Sequence, residues 1–317
     1  MTVTSIHSLW LRGLFSIAVL SYLGAQVDMK AALSAAASVD ALYLVAALVL
    51  VALDRMVMVA RWLLVLRGSG QRVGLAFLTR IFLVSSFLGS ALPTSVGADG
   101  LRAYQLSSHT DNPSEAIASV AIDRLVGIFA LTLLAILGTT LWGSASDMIP
   151  RAWFWSLIVL VTLLVGGLLF ADHLVRSFLP SRWHTSSIVM AVLRLTDALS
   201  RYRDRRGILA GTFSLSLAVH LLRVSQAYLL GQGLDLTVPF LYYLAFMPIA
   251  LLVFLLPVSI AGVGLPQGVI VWLLAPLGVT DDLSFALSTL LVLIGLAGNL
   301  PGAWLYARSK NALEETT

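Results

Sequence analysis

Charged side chains embedded in apolar runs are the residues of this sequence best placed to do chemistry. Asp123 and Arg124 stand about two turns into a run that is otherwise apolar from Ala116 to Trp142. A charge at that depth in a long apolar segment is costly, so the carboxylate needs a cationic partner or a wet cavity. Arg102 is a candidate partner for Asp123 or for a lipid phosphate, since a guanidinium fits either geometry with two parallel hydrogen bonds. The Asp123 and Arg102 pair therefore reads as a binding site or as a structural clamp. Ser216, His220, Arg223 and Gln226 recur at spacings of three and four and share one helical arc. Such a stripe lines a hydrophilic groove or seals a helix interface. Asp54 and Arg61, seven apart, share a face of the run from Ala41 to Leu66, which Arg55 also interrupts.

Other chemistries find little support. The sequence has no His-Glu-x-x-His, no Gly-x-Ser-x-Gly and no phosphate loop. Its five histidines are scattered and it has no cysteine, so neither a metal site, nor thiolate chemistry, nor a bound cofactor is expected. The composition gives the class: 317 residues, 59% hydrophobic, 11% charged, with a mean hydropathy of +0.93. That is a polytopic, all-α membrane protein rather than a soluble domain around one core. The net charge of +4 suggests nucleic acid until the positions are inspected. Most cations lie in loops, where they report orientation in the membrane, and no nucleic-acid partner is expected.

Two stretches that echo each other must position the charges. Pro93-Thr-Ser-Val-Gly-Ala-Asp-Gly-Leu-Arg102 and Pro257-Val-Ser-Ile-Ala-Gly-Val-Gly-Leu-Pro266 each follow an apolar run. Proline removes a backbone donor, and Gly97, Gly100, Gly262 and Gly264 loosen the backbone, so each run is expected to break there. Broken backbone at membrane depth survives only within protein or beside a water-filled cavity. The pair reads as the tips of two re-entrant helical hairpins. Ser95 and Ser259 would satisfy freed backbone groups or, on the sharper reading, touch substrate. Downstream, Asp111-Asn-Pro-Ser-Glu-Ala-Ile117 resembles Asp281-Asp-Leu-Ser-Phe-Ala-Leu287 at nearly the same offset. An internal repeat explains both echoes; chance matches among Pro, Ser and Gly are the alternative.

Charge bias fixes the topology. If Leu75 to Leu92 crossed completely, the stretch 172–207, with arginines at 176, 182, 194, 201, 203, 205 and 206, would lie outside, against the positive-inside tendency. A hairpin from Leu75 to Leu106 with its tip near Pro93 removes the conflict, and one between Phe240 and Pro276, entering from the other face, does the same for the end of the chain. The expectation is a single domain over 1–317 with about six full crossings and two hairpins. Crossings are expected at 9–25, 41–66, 116–142, 152–171, from 208, and at 284–306. The run 9–25 could instead be a secretory signal, but Leu23-Gly24-Ala25 is a poor cleavage site. The halves, roughly 41–171 and 208–307, form an inverted repeat joined by a cytoplasmic connector, 172–207. The termini are cytoplasmic and the protein sits in the inner membrane. Within the connector, Ile188, Val192, Leu195, Leu199 and Tyr202 form an apolar stripe, which lies on the inner leaflet or packs on the bundle.

The run Pro93 to Arg102, the segment Ala121-Ile-Asp-Arg-Leu-Val-Gly127 and Leu256-Pro-Val-Ser-Ile-Ala-Gly-Val-Gly264 together resemble the transmembrane flippase domain of lysylphosphatidylglycerol synthases. The resemblance spans about residues 10–307. It implies that Asp99, Arg102, Asp123 and Arg124 occupy the family's polar positions, and that the protein moves a phospholipid or related amphiphile between leaflets. Pro266-Gln267 stands where the family usually has Arg-Glu, which puts an ionic role for the second tip in doubt. The chain ends soon after its last helix, so the soluble aminoacyl-transfer activity of full-length synthases is not expected.

The sequence thus predicts a lipid translocator, not an enzyme. Its partners are membrane lipids, and a homo-oligomer is compatible with it. The proposed contacts are Arg102, Asp123, Arg124, Asp99, Ser95, Ser259, Gln267, His220 and Arg223. Rival readings are an integral-membrane transferase with Asp123 as base, and a non-transporting accessory subunit of an envelope-lipid pathway.

Overall fold

The computed structural model describes residues 29–142 except 72, 91, 93–95 and 111, scattered positions between 155 and 193, residues 196–255 except 203, and residues 264–314. Its elements are helices: α1 Met29–Ala37, α2 Ala41–Gly68, α3 Leu75–Ser90, α4 Val96–Ser107, α5 Pro113–Trp142, α6 Arg206–Gly233, α7 Phe240–Phe254, α8 Leu265–Leu274, α9 Asp281–Ala297 and α10 Leu300–Glu314. Among the described residues there are no strands. Among the described residues four spans are long and apolar enough to cross a membrane: α2, α5, α6 and Asp281–Arg308. They correspond to four of the six expected crossings; 9–25 lies outside the described residues and 152–171 almost entirely so. On α5 the exposed face carries Phe129, Leu133, Leu137 and Leu141 at every fourth position, and on α2 Val45, Val49 and Leu53 do the same. Helices that turn apolar stripes outward suit a lipid solvent rather than water.

Helices α2 and α6 form an antiparallel central pair. Their contacts run in opposite sequence order, from Gly68 against Ile208, through Gly211 against Leu64, to Gly233 against Tyr43. The short helices pair in the same sense. A Cβ at Gly89, near the end of α3, would overlap Ala98 at the start of α4, while Phe77 near the start of α3 stacks against His109 just past α4 at 5.0 Å. The base of this pair lies beside the end of α2, where the Thr110 hydroxyl donates to Gln71 Oε1 at 2.9 Å. Helices α7 and α8 are likewise antiparallel, with the Tyr242 hydroxyl donating to the Leu273 carbonyl. The base of this second pair lies at the other end of α5, where Trp142 meets Tyr242 edge-on at 5.1 Å. At 16 and 12 residues for the first pair and 15 and 10 for the second, none of the four spans a hydrocarbon core of about 30 Å alone.

The last span covers the expected crossing, 284–306, and contains a two-residue turn at Gly298 and Asn299. The Arg55 guanidinium donates to the Gly295 carbonyl at 3.3 Å, one of the acceptors in the last turn of α9. Asn299 Nδ2 donates to Ser90 Oγ at 2.7 Å, at the end of α3. The connector is also settled where it is described: Ala198, Leu199 and Tyr202 are buried against Val65, Ala118 and Ile122, and Arg201 pairs with Glu115. These residues pack on the bundle, not on a lipid surface. Ile188, Val192 and Leu195 lie outside the described residues.

Two large apolar clusters fill the interior, and they are separated along the long helices. One contains Ala47 and Val51 of α2, Val224, Ala227 and Leu230 of α6, and the buried faces of α7, α8 and α9. The other contains Val59, Trp62 and Leu66 of α2 with Leu78, Ile81 and Phe82 of α3 and the start of α5. The charged residues occupy the layer between them.

Candidate functional site

Asp123 is the centre of that layer. Its carboxylate is 1% exposed and accepts two parallel hydrogen bonds from Arg61, Nε to Oδ1 at 2.7 Å and Nη2 to Oδ2 at 2.9 Å. The third Arg61 nitrogen, Nη1, donates to Ser216 Oγ on α6 at 3.0 Å, so every branch of this guanidinium is used. Gly127, one turn past Asp123, leaves room for it: a Cβ there would sit 3.2 Å from Arg61 Nη1. Arg102 reaches Asp123 Oδ2 more loosely, at 3.4 Å, and holds Asp99 at 2.5 Å. Asp99 in turn accepts from Arg124 Nε at 2.9 Å. The guanidinium of Arg102 also lies over the rings of Trp62 and Phe82, at 5.0 and 5.4 Å, which holds a cation in an apolar layer.

A second cluster lies along α2. Asp54, buried between α2 and α6, accepts from Arg55 and from Arg223 Nε, each at 3.0 Å. Arg223 also contacts Met58 Sδ at 3.1 Å, and His220 Nε2 lies 2.9 Å from the Gly127 carbonyl, tying α6 to α5. The expectation that Asp54 and Arg61 share a face is met, since both turn toward α6. The stripe Ser216, His220 and Arg223 joins three separate partners across the helix interface, while Gln226 is buried further along the same arc.

The sequence-predicted residues divide. Asp99, Arg102, Asp123 and Arg124 are brought together by the start of α4 and the first third of α5, with Arg223 and His220 in the neighbouring cluster. Gln267 is not among them. It is buried at the start of α8, where its Oε1 accepts from the Gly264 amide at 2.8 Å, and Gly264 has the positive φ, 92°, that favours glycine. Gly97 packs against Leu92, and Gly100 faces open space. Pro93, Ser95, Pro257, Ser259 and Gly262 lie outside the described residues. The principal partner of Asp123, Arg61, is one that sequence reasoning missed; its only signal was a cation inside an apolar run.

The family model described as the lysylphosphatidylglycerol synthase TM region matches residues 9–302. The chain belongs to this family. Membership makes it a membrane protein of lipid metabolism or transport, and the match is to the membrane region of such synthases. No curated protein matches the chain. Among the described residues no group of His, Asp or Glu side chains is arranged to hold a metal.

Proposed function

We propose that the protein moves a lipid with a charged headgroup between membrane leaflets. The observation that carries this reading is the layer of paired charges along α5, with two short helix pairs packed on that helix from its opposite ends. The α3/α4 pair has its base at the start of α5 and places Asp99 on Arg124. The α7/α8 pair has its base at Trp142, and Ile249 and Leu252 of α7 pack on Leu131 and Ala135. Read in a bilayer, these are two re-entrant hairpins, the kind of discontinuous helix that builds transport sites. Arg67, Arg205 and Arg206 cluster where α2 ends and α6 begins, which supports a cytoplasmic position for that face. A headgroup would exchange water for the charged layer while its chains stay in lipid, avoiding the cost of bare transfer through hydrocarbon.

The transferase reading with Asp123 as base is less well supported, because both carboxylate oxygens already accept from arginines. Leaflet exchange in liposomes is the test. Wild type should move a headgroup-labelled lipid, and the Asp123→Ala, Arg102→Ala double variant should not; equal rates would remove the charged layer from the pathway. Topology is testable separately, because the native chain has no cysteine. Thr110→Cys should label from the cytoplasmic side and Leu277→Cys from the opposite side.

A further inference from the structure

The two signs of charge in the layer of paired charges are presented differently. Five guanidinium groups, Arg55, Arg61, Arg102, Arg124 and Arg223, face three carboxylates, Asp54, Asp99 and Asp123, an excess of two positive charges. At the edge of the layer the cations lead: the Arg124 and Arg223 side chains are 36% and 27% exposed, against 3%, 1% and 16% for Asp54, Asp123 and Asp99, while Arg61 and Arg102 are as covered as the acids. A headgroup arriving at this layer therefore meets guanidinium edges, with the acids behind them. Two donors, one in each cluster, are buried and have no partner among the described residues, Arg102 Nη1 and Arg55 Nε. Buried cationic donors left unsatisfied are expensive, and an arriving acceptor would complete them.

We propose that the layer is a receptor for a lipid whose headgroup ends in a phosphate monoester, which carries about two negative charges near neutral pH. This rests on the transport reading and names its substrate class. The charge matches the excess of two. The three terminal oxygens match planar donors approaching from several directions, which a single ammonium could not offer. A zwitterionic headgroup would leave the layer cationic. The same chemistry is carried by a diacylglycerol phosphate and by a polyprenyl monophosphate.

The experiment is competition for the purified full chain in neutral detergent. Phosphatidic acid, a polyprenyl monophosphate, phosphatidylglycerol and phosphatidylcholine are supplied at equal concentration, and bound lipid is counted by native mass spectrometry. Both monophosphates should exceed phosphatidylcholine by on the order of tenfold, with singly charged phosphatidylglycerol between them. Arg124→Gln and Arg223→Gln, at the partly exposed edges, should each narrow that ratio. Phosphatidylcholine bound as well as the monophosphates by wild type overturns the proposal, whatever the variants do. A preference for phosphatidic acid over the polyprenyl lipid assigns the glycerolipid source, the reverse assigns the polyprenyl source, and equal binding makes the headgroup the whole determinant. Failure of the transport reading looks different. Selective binding without leaflet exchange keeps the receptor and removes transport, and exchange without charge preference does the opposite.

Discussion

At the start of α4, Asp99 and Arg102 reach out to Arg124 and Asp123 on α5; at the start of α8, Gln267 bends back onto the Gly264 amide. The two starts are equivalent in the sequence echo, with Gly100-Leu101-Arg102 matching Gly264-Leu265-Pro266. The spans that follow differ in the same way. At the offset that aligns Asp111 with Asp281, Asp123 and Arg124 correspond to Leu293 and Ile294. The backbone plan is nevertheless shared. The α5 span, after the first hairpin, packs Gly138 against the Leu244 carbonyl of α7, in the second hairpin. The final span packs Gly302 of α10 against the Leu83 carbonyl of α3, in the first. The contrast teaches that packing and chemistry are separable here. Both halves keep the close helix contacts, and only one, helped by the central pair α2 and α6, carries the ions.

Breaking the charged half should have the largest effect. Asp123→Ala leaves Arg61 buried without its carboxylate and Arg102 with Asp99 alone, and should cost about 3–5 kcal/mol, read as loss of thermal stability in detergent. Leu293→Ala, at the corresponding exposed position, should stay within about 1 kcal/mol. Arg61→Lys keeps the charge but loses the fork to Asp123 and the bond to Ser216; a drop of about 1.5–3 kcal/mol is expected, and an unchanged melting temperature would show that the fork matters little. Reciprocal packing predicts that Gly138→Ala and Gly302→Ala each lose about 1–3 kcal/mol, because a backbone carbonyl occupies the space of the new methyl. A loss at only one of them would break the parallel between halves. The smallest effect belongs to Gln267→Ala, about 1 kcal/mol for one local hydrogen bond with transport retained, whereas Asp99→Asn should slow transport.

How much of this was legible in the sequence depends on the range of the interaction. Local signals worked: the proline and glycine tips separate α3 from α4, the offset of seven put Asp54 and Arg61 on one face, and intramembrane cost marked Asp123 as paired. Partner choice was not legible, because Arg61 lies 62 residues upstream of Asp123 and Arg223 lies 169 beyond Asp54. Such pairs are set by how α2, α5 and α6 dock, and no single-helix periodicity contains that. The local bond of Gln267 was not legible for a related reason: its side chain accepts from a backbone amide three residues away, an option open to any glutamine near a helix start. The break in the last span did leave a signal. Gly298-Asn299-Leu300-Pro301 ends one helix with a glycine and opens the next with a proline, but the surrounding hydropathy masks it.

That break divides the final span between two sets of neighbours. Above it, α9 is fastened to α2 through Arg55 and to α1 through Phe285 and Ala32; below it, α10 is fastened to α3 through Asn299 and Gly302. Were α3 to tilt, these contacts would carry the movement into α10 and, across the turn at Gly298 and Asn299, to the carbonyl that Arg55 holds. The joint is a mechanical linkage by which movement of the charged hairpin would be felt at the far cluster without either half unfolding.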